Sequence, residues 1–132
     1  DLRGCPGGRL DGAVALASVL LAHGSVVAEL VDADGDASPL VTTGSGDLEV
    51  PVTALVDRHT ASAAEIVAAA LRHHGRATLL GERTYGKGRA QAVRAAGALA
   101  NGGQVLIATS HEVRAPGGAA IDGLGVTPDA EM

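Results

Sequence analysis

Phenylalanine and tryptophan are absent from these 132 residues, and tyrosine occurs once, as Tyr85. Without aromatic side chains there is no stacking platform for nucleobases. The core must then be built from Ala, Val, Leu and Ile, small side chains that let backbones approach closely. Positive charge is also scarce: 10 Lys and Arg stand against 15 Asp and Glu, a formal net charge of −5. That balance leaves no basic footprint, so nucleic acid is not an expected partner. The single cysteine, Cys5, rules out an internal disulfide. No apolar run is long enough to cross a bilayer, and nothing at the start has the layout of a signal peptide. The chain opens at "DLRG" without a methionine and reads as a piece of a longer protein, with residues 1–132 as one domain.

What is present reads as alternating helices and strands. "LDGAVALASVLLA", from Leu10 to Ala22, is apolar at almost every helical phase and predicts a largely buried helix ended by Gly24. Val26 to Val31 reads as a strand, 32-DADGD-36 as a turn, and Leu40 to Thr43 as a second short strand. Asp32, Asp34 and Asp36 hint at calcium, but the loop lacks the glycine and the closing glutamate of an EF-hand, so a solvated turn is expected. The run 50-VPVTALV-56 suits a central parallel strand, followed by a helix to about His74 and a strand at 77-ATLL-80. Strand, helix, strand is a βαβ crossover. Beyond it, a hairpin turn is expected at 101-NGG-103 and one extended strand over 104–113.

Three stretches carry chemistry. In "TASAAEI", 60–66, Ser62 with Glu65 three residues on fits a capping box, and a serine at a strand-to-helix corner is also where hydrolases place a nucleophile. In 81-GERTYGKG-88, the spacing of Gly81, Gly86 and Lys87 matches a phosphate-binding loop with 89–100 drawn as its helix. Gly88 stands where that motif needs a hydroxyl for magnesium, which weakens the match. A lysine bracketed by Gly86 and Gly88 and held in an apolar setting can instead take a proton from a serine. In "DLRGCPGG", Gly7 and Gly8 precede a helix and can present N–H groups to an anion. His59 lies three residues from Ser62 across a corner, and the adjacent His73 and His74 point in different directions on a helix, which weakens a shared metal site.

Taken together, these stretches resemble the catalytic core of the carboxyl-terminal processing, or tail-specific, serine proteases. "DLRGCPGG" is similar to that family's DLRxNPGG, "TASAAEI" to its SASxxEI, "GERTYGKGRAQ" to its GExTxGKGxxQ, and "IDGLGVTPD" to its closing IxGxGIxPD. The resemblance covers essentially the whole chain. It implies an α/β fold of the crotonase/ClpP-like spiral type, here without the first strands and without the PDZ domain that members carry. It also implies Ser62 as nucleophile, Lys87 as base and Gln91 as the residue that orients the lysine. The implied oxyanion hole is the Ala63 N–H with Gly7 or Gly8, a choice the sequence leaves open. With Ser62 so used, Thr60 or the backbone itself must cap the helix.

The implied activity is endopeptidase cleavage near protein C-termini, outside the cytoplasm, on a protein or peptide substrate, with no metal and no cofactor. Association into a homo-oligomer is left open. The chain departs from the family pattern at Cys5, usually Asn; at His59, commonly Gly; at His73, acidic in some members; and in 109-TSHEVRAPGG-118, which lacks the usual aromatic pair. Two other readings stand beside the peptidase: a non-catalytic module that binds peptides or a partner on the same fold, and nucleotide binding at 81–88.

Overall fold

The structure, a computed structural model, describes residues 1–96 and 104–132. The turn expected at 101–103 lies outside them. In chain order the elements are α1 (Leu10–Leu20), β1 (Val26–Val31), β2 (Ala37–Val41), β3 (Val52–Val56), α2 (Ala63–His73), β4 (Ala77–Gly81), β5 (Arg89–Ala96) and β6 (Gln104–Arg114).

The crossover read from the sequence is present. β3 and β4 pair in parallel, from Val52 opposite Ala77 to Val56 opposite Gly81, and α2 makes the connection that parallel strands require. Every residue of α2 from Ala63 to Leu71 is buried. Alanine at five of those nine positions keeps the helix thin enough to be enclosed on all sides. It closes with Gly75 N–H on the Arg72 carbonyl and Arg76 N–H on the Leu71 carbonyl.

The second sheet is antiparallel, in the order β2-β1-β6-β5. An irregularity between Val26 and Ala28 puts one extra residue, Val27, into β1, and Val27 and Ala28 are both fully buried. Val113 of β6, opposite Leu30, joins Val27 and Ala28 in one core with Ile66, Val67 and Leu71 of α2 and Ala13, Ala17 and Leu21 of α1. The two ends of the chain flank the parallel pair: Leu2 N–H donates to the Leu55 carbonyl, and Asp129 N–H to the Leu79 carbonyl.

Residues 89–96 form strand β5 rather than the helix that a phosphate-binding loop needs. "RAQAVRAA" is built largely of good helix formers, but pairing with β6 along its whole length overrides that propensity. A strand, not a helix N-terminus, directly follows 81-GERTYGKG-88, so the nucleotide reading loses its structural basis.

Candidate active site

The site is built where β3 ends. Asp57 turns the chain: its carboxylate accepts Gly4 N–H at 2.9 Å, His59 N–H at 3.0 Å and Thr60 N–H at 2.9 Å. Gly4 N–H holds this carboxyl below its ordinary range most strongly, with the His59 and Thr60 donors adding to the effect. The "DLRG" segment is thereby fixed to the corner that carries Ser62. The Thr60 hydroxyl donates to the Leu2 carbonyl at 2.9 Å and accepts Asp57 N–H at 3.0 Å, so it ties the corner to the N-terminal segment and does not cap α2.

Ser62 begins α2 at φ +56° and ψ −122°, the only non-glycine residue with positive φ among the described residues. A side chain at such dihedrals is strained and is kept there only when its surroundings dictate it. The helix start is satisfied by backbone: Glu65 N–H at 2.9 Å and Ile66 N–H at 3.1 Å both donate to the Ser62 carbonyl. Ser62 and Glu65 form a capping box in which the Ser62 side chain faces Glu65 N–H, although that N–H donates to the Ser62 carbonyl at 2.9 Å. Glu65 makes the reverse half, since its carboxylate accepts Ser62 N–H at 2.8 Å.

Glu65 is fully buried. Besides Ser62 N–H, its carboxylate takes the Thr84 hydroxyl at 2.5 Å, Gly86 N–H at 2.7 Å and Lys87 N–H at 2.8 Å. One carboxylate thus pins the serine corner and the lysine loop to a common point. Four donors, three of them backbone, supply what a buried charge needs. The sequence reading saw Glu65 only as a cap; the clue it passed over is a carboxylate whose helical position makes it face inward.

The lysine loop is locked from behind by the closing segment. Thr84 N–H donates to the Val126 carbonyl and Val126 N–H to the Thr84 hydroxyl oxygen. Gly123 N–H reaches the Gly86 carbonyl at 2.9 Å, while the Asp122 carboxylate takes Gly88 N–H at 3.3 Å and Arg89 Nε at 2.7 Å. Gly86 sits at φ +91°, which favours glycine, and a Cβ there would crowd backbone atoms of Gly123, Leu124 and Gly125 at 3.0–3.2 Å.

Ser62, Lys87 and Gln91 line one cavity of about 600 Å³, together with Gly8, Arg89 and Val113 among others. Lys87 Nζ lies 3.4 Å from Gln91 Oε1, and no direct hydrogen bond joins it to Ser62 Oγ. The lysine side chain is exposed, so the dry setting expected from the sequence is not met in the free chain. His59 is exposed and stands outside the cavity, and His73 faces a separate cavity beside Pro116 and Asp129.

The two glycines differ. Gly7, at φ +86°, lies so close to the corner that a Cβ would come within 2.5 Å of the Ala61 carbonyl oxygen and 2.7 Å of Ala63 N. Gly8 has open space and lines the Ser62 cavity. Ala63 N–H, in the first turn of α2, donates to nothing among the described residues. Cys5 sits behind this turn in a smaller cavity of about 200 Å³, with its carbonyl accepting Ala61 N–H.

Comparison with known proteins gives this arrangement a lineage. The whole chain, residues 1–132, matches peptidase family S41. It is 38% identical over 131 residues to a carboxy-terminal-processing protease of Bartonella bacilliformis, covering 98% of this chain and 29% of that one. It is 34% identical over 132 residues to carboxyl-terminal-processing peptidase 3, chloroplastic, of Arabidopsis thaliana, covering 99% and 25%. Among solved structures, the photosystem II D1 C-terminal processing protease superposes with a TM-score of 0.88 at 34% identity, over 100% of this chain and 33% of that chain. The chain therefore spans about a quarter to a third of these relatives and shares their core fold. No helix among the described residues is long and apolar enough to cross a membrane. On the strength of the family match and these relatives, the chain belongs to peptidase family S41, the carboxyl-terminal-processing proteases.

Proposed function

We propose that this chain is the catalytic core of a serine peptidase in which Ser62 is the nucleophile and Lys87 its base. The observation that carries the reading is the Glu65 carboxylate, which binds the N–H groups of both residues and brings them to one cavity. Ser62 Oγ attacks the carbonyl carbon of a peptide bond while its proton passes to the neutral amine of Lys87. Lys87 returns that proton to the leaving nitrogen as the C–N bond breaks, and then takes one from the water that hydrolyses the acyl-enzyme. The positive end of α2 lies at Ser62. The Ala63 N–H and the open Gly8 N–H receive the oxyanion, with Gly7 serving as the close-packed support behind them.

Gln91 orients the lysine amine without adding charge. A peptide lying over the cavity shields the Lys87 amine from bulk water. The names of the relatives point to a polypeptide cut near its C-terminus as substrate. A binding module is the second reading, favoured by the exposure of Lys87 and its lack of a direct bond to Ser62.

Turnover of an unstructured polypeptide by the chain, compared with its Ser62→Ala and Lys87→Ala variants, separates the two. The peptidase reading expects each variant to lose at least about a thousandfold in kcat. Equal peptide binding by all three with no turnover in any would establish the module instead.

A further inference from the structure

The antiparallel sheet ends at the site. β5 is its outermost strand on that side, and three consecutive residues of β5, Arg89, Ala90 and Gln91, line the cavity that holds Ser62 and Lys87. Successive side chains of a strand point to opposite faces. A cavity that touches three in a row must therefore meet the strand at its edge rather than on one face.

The backbone of that edge is oriented outward. Val113 N–H of β6 donates to the Gly88 carbonyl at 2.7 Å, and the Ser110 hydroxyl lies 3.4 Å from the Ala90 carbonyl. Gly88 and Ala90 thus face β6, and the alternation of an antiparallel ladder turns the N–H and C=O of Arg89, and next of Gln91, away from it. The extra residue at the ladder's irregularity, Ser110, belongs to β6, so β5 keeps this alternation unbroken.

Exposed strand edges are ordinarily guarded by proline, lysine or inward charge. At the opposite margin of the sheet, β2 carries Pro39 in its middle. β5 contains no proline, and of its two arginines, Arg89 and Arg94, the one that lines the cavity is paired with Asp122.

Resting on the peptidase reading, we infer that the outer edge of β5 is the docking rail for the substrate main chain. An extended polypeptide adds to β5 as a further strand through the Arg89 and Gln91 peptide groups, which carries its neighbouring peptide bonds across Ser62. Recognition by main chain admits diverse side chains and demands an unfolded segment, since a folded loop cannot present a free strand.

The test uses the Ser62→Ala chain and peptides in which single backbone amides are N-methylated. Methylation at alternate positions is expected to weaken binding about fivefold or more for each hydrogen bond lost, with little effect in between. Amide exchange at Arg89 and Gln91 is expected to slow when peptide binds. Loss of this alternation, protection confined to other residues, or no binding overturns the inference. Phosphonylation of Ser62 by a small fluorophosphonate, in which Oγ bonds to phosphorus and fluoride leaves, needs no strand and reads the peptidase proposal separately. Labelling without alternation overturns the rail alone, and alternation without labelling supports the rail while removing the nucleophile.

Discussion

Ser62 occupies dihedrals that suit glycine, at φ +56° and ψ −122°, and such strain costs about 1–3 kcal/mol. Replacing it with glycine relieves the strain but adds about 0.5–1 kcal/mol of backbone entropy cost. Ser62→Gly is therefore expected to be inactive and yet to melt a few degrees higher, by roughly 1 kcal/mol at the midpoint. A lower midpoint in a thermal scan would show that the corner does not strain its serine. Glu65 makes the complementary case. In Glu65→Gln, one oxygen that accepts N–H groups becomes an amide donor facing them, and each buried donor left unpaired costs about 1–3 kcal/mol. The variant is expected to lose both thermal stability and turnover, because Ser62 and Lys87 hang from the same carboxylate. Parent-like values of both would remove Glu65 from the account.

At the scale of elements, the site is a meeting of β3, α2 and the loop before β5, and Asp57 holds the N-terminal segment to that meeting point. Its carboxyl is held low in the folded chain, first by Gly4 N–H. The stability it contributes is present above the unfolded value near pH ~3.9 and is lost as pH falls through the lower, folded value. Thermal midpoints measured from pH 6 downward are expected to fall less steeply in Asp57→Asn than in the parent, and parallel curves would contradict this. Much of this layer was legible in the sequence. The β1 boundaries, the βαβ crossover and the long β6 follow from apolar runs bounded by turn residues. β5 was not, because "RAQAVRAA" has helix-forming composition and its strand state is imposed by β6, a partner that no local window contains. The cap was also misread in part: Thr60 looks inward to Leu2 and Asp57, contacts set by the long-range fold.

Across the whole molecule, segments far apart in sequence converge on one cavity: Gly8, the serine corner and the lysine loop, which the 121–126 segment braces from outside it. The motif order announced their company, but not the means, since a buried carboxylate joining Ser62 to Lys87 is visible only once both loops are placed. Exposure of Lys87 likewise depends on what lies over the cavity, which composition does not encode. The chain spans about a quarter to a third of its relatives, so the serine chemistry is best tested with a probe that needs neither a long substrate nor a second domain. That measurement is the rate of phosphonylation by a fluorophosphonate, with the modified residue located by mass spectrometry, in the parent chain and in Lys87→Ala. The account predicts one adduct, on Ser62, forming far more slowly when Lys87 is removed. An adduct on another serine, or an equal rate on Ser62 in both chains, would contradict the Ser62–Lys87 pairing.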